Sequence, residues 1–299
     1  MPAVMSHPLA RIVDQLKRQP SRTGSLVITV YGDAIVPRGG SVWLGTLLSF
    51  FEALNIDHGG VRTAMSRLAA DGWLERARVG RNSFYRLADK GRETFAAATR
   101  HIYAAQRPEW TGRFDLLLVP NGNGGGDRDG LRENFRTAGF GSPVAGLWLA
   151  PAGTPAPEGA EQAIRLEAEV RTSEIDGAVR HLIEASWPLE RIAAAYQTFL
   201  KTFAPLHEWV RRDGELSDLD ALVARILLIH QYRRIILPDP LLPDAMLPAD
   251  WPGTAARLLC AEVYPSLLPG SERWLDAHAS NEQGPLPAAD NALWRRFQP

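Results

Sequence analysis

The sequence has a single cysteine and no long apolar run, and each of these gaps excludes a class of protein. Cys260 has no second cysteine to pair with, so the chain cannot form an intrachain disulfide. No stretch approaches the roughly 18 consecutive apolar residues that a membrane helix requires. The first residues also lack the apolar run and cleavage site of a signal peptide. We therefore expect a cytoplasmic protein with no membrane partner, in which Cys260 is a small core residue.

Residue patterns of the common catalytic and metal sites are also missing. The 7 histidines are scattered without the spacing of a metal site, and no Ser-His-Asp or Cys-His arrangement is indicated. The run GNGGG at 122–126 lacks the Gly-Lys-Ser/Thr ending of a phosphate-binding loop, which favours a loop in solvent. The sequence therefore predicts no catalytic residue, no metal and no cofactor, and the protein is not expected to be an enzyme.

Charge is unevenly distributed along the chain. The 299 residues are 45% hydrophobic, which is enough for two or three domains with cores, and the formal net charge is only -1. Residues 1–100 carry 14 Lys and Arg against 8 Asp and Glu, a balance of +6, whereas the remaining residues have a balance of -7. The excess of basic charge indicates that a nucleic-acid partner would be bound by the first third of the chain.

Two short helices in this basic third predict a helix-turn-helix. The segment Val42–Asn55 has apolar residues at the three-and-four spacing of an amphipathic helix, and Asp57 suits the N-cap of a second helix at 58–70. The exposed face of the second helix would carry the polar residues that meet base edges in a major groove. An Arg-bearing face is also common on ordinary surface helices. The predicted readers are Arg62, Thr63, Ser66 and Arg67.

The next segment predicts a basic hairpin, which would make the motif a winged helix-turn-helix. Residues 73–87 read WLERARVGRNSFYRL, which is two short strand-like runs around a turn that contains Gly80. Arg78, Arg81 and Asn82 are predicted to hold the DNA backbone or the minor groove. Arg38, in the turn PRGG, would contact either a phosphate or solvent only.

The rest of the chain predicts a small α+β unit followed by helices. The runs RFDLLLV at 113–119, GLWLAP at 146–151 and AIRLEAEV at 163–170 read as strands, with one helix between the first two. Strand, helix, strand and strand suggest a ferredoxin-like sandwich. The sequence after about residue 176 is helical, apart from the proline-rich stretch at 238–252.

This layout resembles the PaaX family of phenylacetate catabolism repressors. The resemblance rests on LVITVYGDAIVPRGGSVWLGTLL (26–48), VRTAMSRLAADGWLERARVGRNSFYRL (61–87) and HQYRRIILPDPLLPDAMLPADWPG (230–253). It implies an α+β protein with a GntR-like winged helix at 1–105, a ferredoxin-like, Cas2-like domain at 106–175 and a helical domain at 176–299. The family's recognition helix falls on 61–73 and its wing on 76–85, while the run GNGGGDRDG departs from the family in length.

The resemblance also implies a repressor that binds a double-stranded DNA operator and is released from it by phenylacetyl-CoA. Twofold symmetry of the operator would call for a homodimer. A CoA thioester needs cations beside aromatic or aliphatic walls. The predicted effector site is formed by Trp187, His230, Tyr232, Arg233, Arg234 and Trp251. His230 would otherwise be a core histidine, and the two arginines would otherwise pair with Asp239 or Asp244.

Two alternative functions remain open at this point. The first is a repressor of the same architecture with a different acyl-CoA as its inducer. The second is a Cas2-like metal-dependent nuclease, which would need paired carboxylates at the end of the first strand of the middle unit. That strand ends in Pro120 and Asn121, Asp115 lies early in it, and Asp127 and Asp129 lie in the following loop. The sequence therefore disfavours the nuclease.

Overall fold

The fold is a mixture of helices and antiparallel sheets, in agreement with the predicted α+β class. A computed structural model describes residues 7–18, 23–104, 106–120, 128–171, 175, 177–212 and 214–298, with backbone alone at 7, 16–18, 104 and 128. The predicted glycine-rich loop at 122–126 and Asp127 lie outside the described residues.

The helices and strands are numbered along the chain. The helices are α1 (His7–Arg18), α2 (Thr23–Val30), α3 (Leu44–Ala53), α4 (His58–Ala70), α5 (Asp89–Ala104), α6 (Arg128–Thr137), α7 (Gly177–Ser186), α8 (Leu189–Arg211), α9 (Asp218–Ile236) and α10 (Pro252–His278). The strands are β1 (Ser41–Trp43), β2 (Leu74–Val79), β3 (Asn82–Leu87), β4 (Arg113–Leu118), β5 (Gly141–Val144), β6 (Leu147–Pro151), β7 (Ile164–Glu169), β8 (Ser280–Asn281) and β9 (Gly284–Pro285).

The chain divides into two compact units that do not follow the three predicted consecutive domains. Unit 1 contains Met1–Ala104, Thr198–Arg234 and Ala255–Pro299, and unit 2 contains Ala105–Gln197 and Ile235–Thr254. The residues of the predicted C-terminal domain fall in both units. Unit 1 combines the N-terminal segment with C-terminal helices because a buried polar cluster, described below, joins them.

The N-terminal part of unit 1 follows its local sequence signals. α2 is helical despite its strand-forming Val and Ile residues; it packs against α4 and continues as a π-helical turn, Tyr31–Ile35. α4 spans the predicted 58–70, and the Asp57 carboxylate caps it by accepting a 2.9 Å hydrogen bond from the backbone N–H of Gly60. β1, β3 and β2 form a three-stranded antiparallel sheet in that order. Tyr31 fixes this sheet to the helices through a 3.1 Å hydrogen bond to the Tyr85 carbonyl oxygen.

Asp33, in the π-helical turn, is the centre of the buried polar cluster in unit 1. Its carboxylate accepts hydrogen bonds from Tyr103 at 2.5 Å, Tyr264 at 2.8 Å, Arg225 at 2.6 Å and Arg296 at 3.0 Å. Burial disfavours the charged form of Arg225, but Asp33 and neighbouring acids hold its pKa above the ordinary value. The four donors come from α5, α9, α10 and the C-terminal residues. The cluster therefore joins the N-terminal segment to the C-terminal helices within one core.

Unit 2 contains a four-stranded antiparallel sheet in the order β5-β6-β4-β7. Three of its strands were predicted; β5 was not, because GSPV is short and contains a proline. α6 covers one face of the sheet, where Phe135 packs edge-on against Trp148 with ring centroids 5.4 Å apart. The connection from β6 to β7 contains only a 3-10 turn, Ala160–Gln162, so no described helix of this connection covers β7.

Candidate nucleic-acid interface

The exposed face of α4 carries the four residues that the sequence predicted to read DNA. Arg62, Thr63, Ser66 and Arg67 are all exposed, whereas Val61, Ala64, Met65 and Leu68 face the core of unit 1. The separation follows from helical periodicity, because residues three and four apart share a face. α4 therefore presents a polar surface on a helix that is held by a packed apolar side.

A groove of about 370 Å³ lies between α4 and the β2-β3 hairpin. Four of the predicted DNA-contacting residues line it: Arg62, Ser66, Arg81 and Asn82. Thr63, Arg67 and Arg78 are exposed in the same region but do not line the groove. The groove therefore brings together one part of α4 and the tip of the hairpin.

Arg76 also lines the groove, although the sequence analysis did not assign it a contact. Its guanidinium donates a 2.9 Å hydrogen bond to the Ser83 hydroxyl across the hairpin. With Arg62 and Arg81 it gives the groove three guanidinium groups, and the described lining residues include no carboxylate. The alternation of Arg76 and Arg78 along β2 placed the two on the same face, which was the available signal for Arg76. Such a groove suits a phosphate backbone.

The segment that follows α10 forms hydrogen bonds with the sheet that contains the hairpin. The Glu282 carboxylate, between β8 and β9, accepts hydrogen bonds from the Ser41 hydroxyl at 2.7 Å and from Arg86 at 3.2 Å. Burial raises the pKa of Glu282, but these hydrogen bonds and the Arg86 charge outweigh burial and lower it below its ordinary value. A charged Glu282 therefore links β1 and β3 to the segment that follows α10.

Arg38 does not belong to this surface, which corrects its predicted DNA contact. Its side chain is 1% exposed and donates hydrogen bonds to the Pro287 carbonyl oxygen at 3.0 Å and to Glu272 at 2.6 Å. It also contacts the Asp276 carboxylate. These partners lie in α10 and the segment after it, so the guanidinium is a core ion-pair partner rather than a phosphate contact.

The predicted effector residues fall into two groups. His230, Tyr232 and the two arginines beside it belong to unit 1, whereas Trp187 and Trp251 belong to unit 2. His230 is fully buried, and its Nδ1 lies 2.9 Å from the Thr29 hydroxyl. Burial, with the charges of Arg233 and Arg234, lowers the pKa of His230 to about 3. His230 is therefore a neutral core histidine, as the alternative interpretation held.

The neighbours of His230 are also occupied by structural contacts. Tyr232 is 1% exposed and packs against Phe199 and Phe297. Arg233 donates hydrogen bonds to the Thr29 hydroxyl at 2.8 Å and to the Ser25 carbonyl oxygen at 2.9 Å. Arg234 is exposed. Arg107 of unit 2 lies within 4 Å of the carboxylates of Asp239 and Asp244, which were the alternative partners predicted for the two arginines.

Trp187 and Trp251 line a separate cavity of about 620 Å³ within unit 2. Ile183, Leu189 and Met246 add apolar walls, and four charged residues surround them: Arg180, Glu184, Glu190 and Arg191. The Trp187 indole N–H donates a 3.0 Å hydrogen bond to the Gly139 carbonyl oxygen. The Trp251 N–H is buried and has no hydrogen-bond partner in the described part of the chain. The cavity therefore combines aromatic and aliphatic walls with charged residues of both signs.

No carboxylate constellation for metal chemistry is found in the residues that the structure describes. No three His, Cys, Asp or Glu side chains there converge as ligands of one metal ion. Asp115 accepts a 3.0 Å hydrogen bond from the backbone N–H of Gly153 and lies 3.5 Å from Arg165. Asp129 lies in the first turn of α6 rather than in the predicted loop, is exposed, and lies 3.4 Å from Arg132. None of the described helices has the length and apolar character needed to cross a bilayer.

Comparison with known proteins identifies the family. Residues 22–91 match the model of the PaaX-like protein family, and residues 187–277 match that of the PaaX-like protein C-terminal domain. The transcriptional repressor PaaX of Escherichia coli (strain K12) is 35% identical over 282 residues, which cover 91% of this chain and 89% of that protein. A solved structure, the uncharacterized protein Rv0674 from Mycobacterium tuberculosis, is similar with a TM-score of 0.52 at 22% identity, over 76% of this chain and 88% of that one. That structural likeness supports a shared fold alone. The chain belongs to the PaaX-like family.

Proposed function

We propose that this protein is a DNA-binding transcriptional repressor of phenylacetate degradation genes, and a regulator rather than an enzyme. The observation that carries the proposal is the groove between α4 and the β2-β3 hairpin, which three arginines border. The similarity to a transcriptional repressor over most of both chains supports the same conclusion. A transcriptional repressor must bind chromosomal DNA, and we therefore assign the protein to the cytoplasm.

In this proposal α3, α4 and the β2-β3 hairpin form a winged helix-turn-helix. Arg62, Thr63, Ser66 and Arg67 enter the major groove, because they share the exposed face of α4. The hairpin holds the adjacent phosphate backbone or minor groove through the exposed residues Arg76, Arg78, Arg81 and Asn82. A homodimer would present two such heads to a palindromic operator.

The sheet of unit 2 is consistent with a ferredoxin-like, Cas2-like origin. Its strand order, read from the other edge, is β7-β4-β6-β5, which is fourth, first, third and second in chain order. That is the order of the ferredoxin-like βαββαβ arrangement. The second helix of this arrangement is replaced by the 3-10 turn at Ala160–Gln162. We assign the domain a scaffold role, since Asp115 and Asp129, the described candidates for a metal site, each lie beside an arginine.

The proposed signal is an aromatic acyl-CoA, phenylacetyl-CoA in particular, with a different acyl-CoA as the alternative. An effector can lower operator occupancy only if it binds more tightly to a conformer that binds DNA poorly. The cavity of unit 2 has a volume in the range of small-molecule sites. Trp187 and Trp251 suit the acyl group, and Arg180 and Arg191 suit an anionic or carbonyl part.

The DNA-binding proposal is tested by fluorescence anisotropy with a labelled promoter fragment of the phenylacetate degradation genes. Arg62→Ala should weaken binding by roughly 10- to 100-fold, since an arginine paired with guanine contributes about 1–3 kcal/mol of discrimination. Arg92→Ala is the matched control, because Arg92 is 63% exposed and lies on α5, away from the groove. Equal affinities of the two variants at one salt concentration would remove Arg62 from the interface.

The effector proposal is tested by filling the cavity. Ala193 lines it, so Ala193→Phe should lower the affinity for phenylacetyl-CoA at least tenfold, roughly the effect of 1.4 kcal/mol, in a calorimetric titration. The neighbouring Ala194 is exposed and does not line the cavity, which makes Ala194→Phe the control. Titrations with CoA alone separate binding of the acyl group from binding of the nucleotide. Unchanged affinity in Ala193→Phe would place the effector elsewhere.

A further inference from the structure

β7 is an edge strand with one side open. It pairs with β4 on one side, and among the described strands none pairs with its other side. The residues from Ile164 to Glu167 are all exposed, and the pairing with β4 contains no bulge. Natural sheets blunt such edges with prolines, bulges, charged side chains or a covering helix, because unpaired N–H and C=O groups recruit another strand. Of these devices β7 has charged side chains, but no proline and no bulge.

The opposite edge of the same sheet has the protection that β7 lacks. β5 contains Pro143, which cannot donate a backbone hydrogen bond, and its register against β6 is irregular. The two edges carry similarly exposed apolar side chains, Val144 at 61% and Ile164 at 51%. The two edges therefore differ in whether their backbone N–H and C=O groups can pair with another strand, and not in hydrophobicity.

Side chains of β7 alternate between an apolar and a charged face. On the apolar face, Ile164 lies opposite Leu118 and Leu166 lies opposite Leu116 of β4. Leu118 and Leu166 are 41% and 49% exposed, so this face is only partly covered within the chain. Scattered exposed apolar residues are ordinary, but a continuous row beside an open strand edge is typical of an interaction surface.

The charged face carries one basic residue, Arg165, and two acidic residues, Glu167 and Glu169. Arg165 lies 3.5 Å from Asp115 of β4, and Glu167 lies 2.9 Å from Arg113. The side chains of Arg165 and Glu167 are each 54% exposed. Because Arg165 and Glu167 are separated by one residue, an antiparallel copy of this strand would bring Arg165 of each copy opposite Glu167 of the other.

We propose that β7 pairs antiparallel with β7 of a second copy of this chain, with Leu166 on the twofold axis. In this register Arg165 of each copy faces Glu167 of the other, and Leu166 faces Leu166. Ile164 faces Ala168, so the apolar rows of the two sheets become continuous. The homodimer is then an eight-stranded sheet built from two four-stranded ones.

Other registers are disfavoured by charge and by side-chain direction. A shift of two residues in one direction places Arg165 opposite Arg165. The same shift in the other direction places Glu167 opposite Glu167, although Arg165 then faces Glu169. Like charges directly opposite destabilise a strand pair. An odd shift sets a charged residue opposite an apolar one, because side chains alternate between faces. The proposed register is therefore the one that pairs opposite charges without also placing like charges opposite each other.

This surface goes beyond the proposed function by naming where two chains associate. The association can be measured without DNA, so its failure would be distinct from a failure of operator binding. A six-residue edge gives a small interface, and we expect a weak dimer whose mass depends on concentration. Sedimentation velocity of the full chain over a concentration series should give a mass that rises towards twice 32.9 kDa.

The Leu166→Lys variant should have the mass of one chain at every concentration in sedimentation velocity, because two ammonium groups would meet on the twofold axis. Val144→Lys, at the protected edge, should leave the dimer intact. An unchanged dimer in Leu166→Lys would overturn the proposal, as would a wild-type chain that stays monomeric throughout the series. Circular dichroism and urea denaturation of each variant check that its fold is retained.

A mixing experiment tests the register itself. Arg165→Glu alone gives Glu opposite Glu, and Glu167→Arg alone gives Arg opposite Arg, so each variant should be monomeric. An equimolar mixture restores opposite charges at both positions and should recover a heterodimer. The mixture could stay monomeric although the wild-type chain dimerises and Leu166→Lys does not. That result would overturn the β7 register. The dimer would then form through the apolar face or another segment of the chain.

Discussion

Unit 1 uses arginine in two opposite ways. In the groove, the guanidinium groups of Arg62, Arg76 and Arg81 are exposed to solvent. In contrast, Arg225 and Arg296 are buried around Asp33. The exposed set can hold a polyanion because its charge is uncompensated by the described lining residues. The buried set is neutralised internally and joins distant parts of the chain. One residue type therefore serves binding in one region and architecture in the other.

The two regions should respond differently to mutation. Removing one partner of a buried ion pair leaves an uncompensated charge in a region of low dielectric constant. When an exposed arginine is removed, water can solvate the groups that it contacted. Substitutions in the buried cluster should therefore lower the free energy of unfolding, whereas substitutions in the groove should change DNA affinity and leave stability nearly constant.

The largest expected effect is that of Asp33→Asn. The neutral amide keeps the shape of the side chain but no longer balances Arg225 and Arg296, so the free energy of unfolding should fall by about 3–5 kcal/mol. Urea denaturation followed by circular dichroism measures the loss. Asp218→Asn is the matched control, because it breaks an exposed pair with Arg273 and should cost less than about 1 kcal/mol. Similar costs for the two variants would contradict the contrast between buried and exposed pairs.

The exposed region could largely be predicted from the sequence because its signals are local. The apolar spacing of α4 and the Asp57 N-cap lie within a few residues of the helix that they define. The hairpin follows from strand-forming residues on both sides of Gly80, which adopts a φ of +59° that glycine favours. The polar face of α4 is then fixed by periodicity, without knowledge of the rest of the chain.

The buried region could not be predicted in the same way, because its partners are distant in sequence. Glu272 is 234 residues from Arg38, and Arg225 is 192 residues from Asp33. Arg38 lies in a glycine-containing turn, which is typical of an exposed loop, and only the packing of α10 shows that it is buried. His230 was misassigned for the same reason, since its partner Thr29 belongs to α2.

A smaller effect is expected from pH, through His230 in the buried region. Its folded-state pKa of about 3 lies below the ordinary value of 6.5, so below pH 6.5 the unfolded chain binds a proton that the folded chain excludes. Stability is therefore fully present above pH 6.5 and is lost progressively as the pH falls towards 3. At pH 5 the loss from this residue should be about 2 kcal/mol.

His230→Gln isolates this contribution, because glutamine can hydrogen-bond to Thr29 but does not titrate. The variant's stability should fall less steeply between pH 7 and pH 5 than that of the wild type, even if it is lower at both. His181→Gln, at an exposed position of α7, should keep the wild-type slope. A His230→Gln slope equal to that of the wild type would mean that the folded chain admits the proton. His230 would then have to lie within reach of solvent, and the separation between a sealed core and an open groove would fail at that residue.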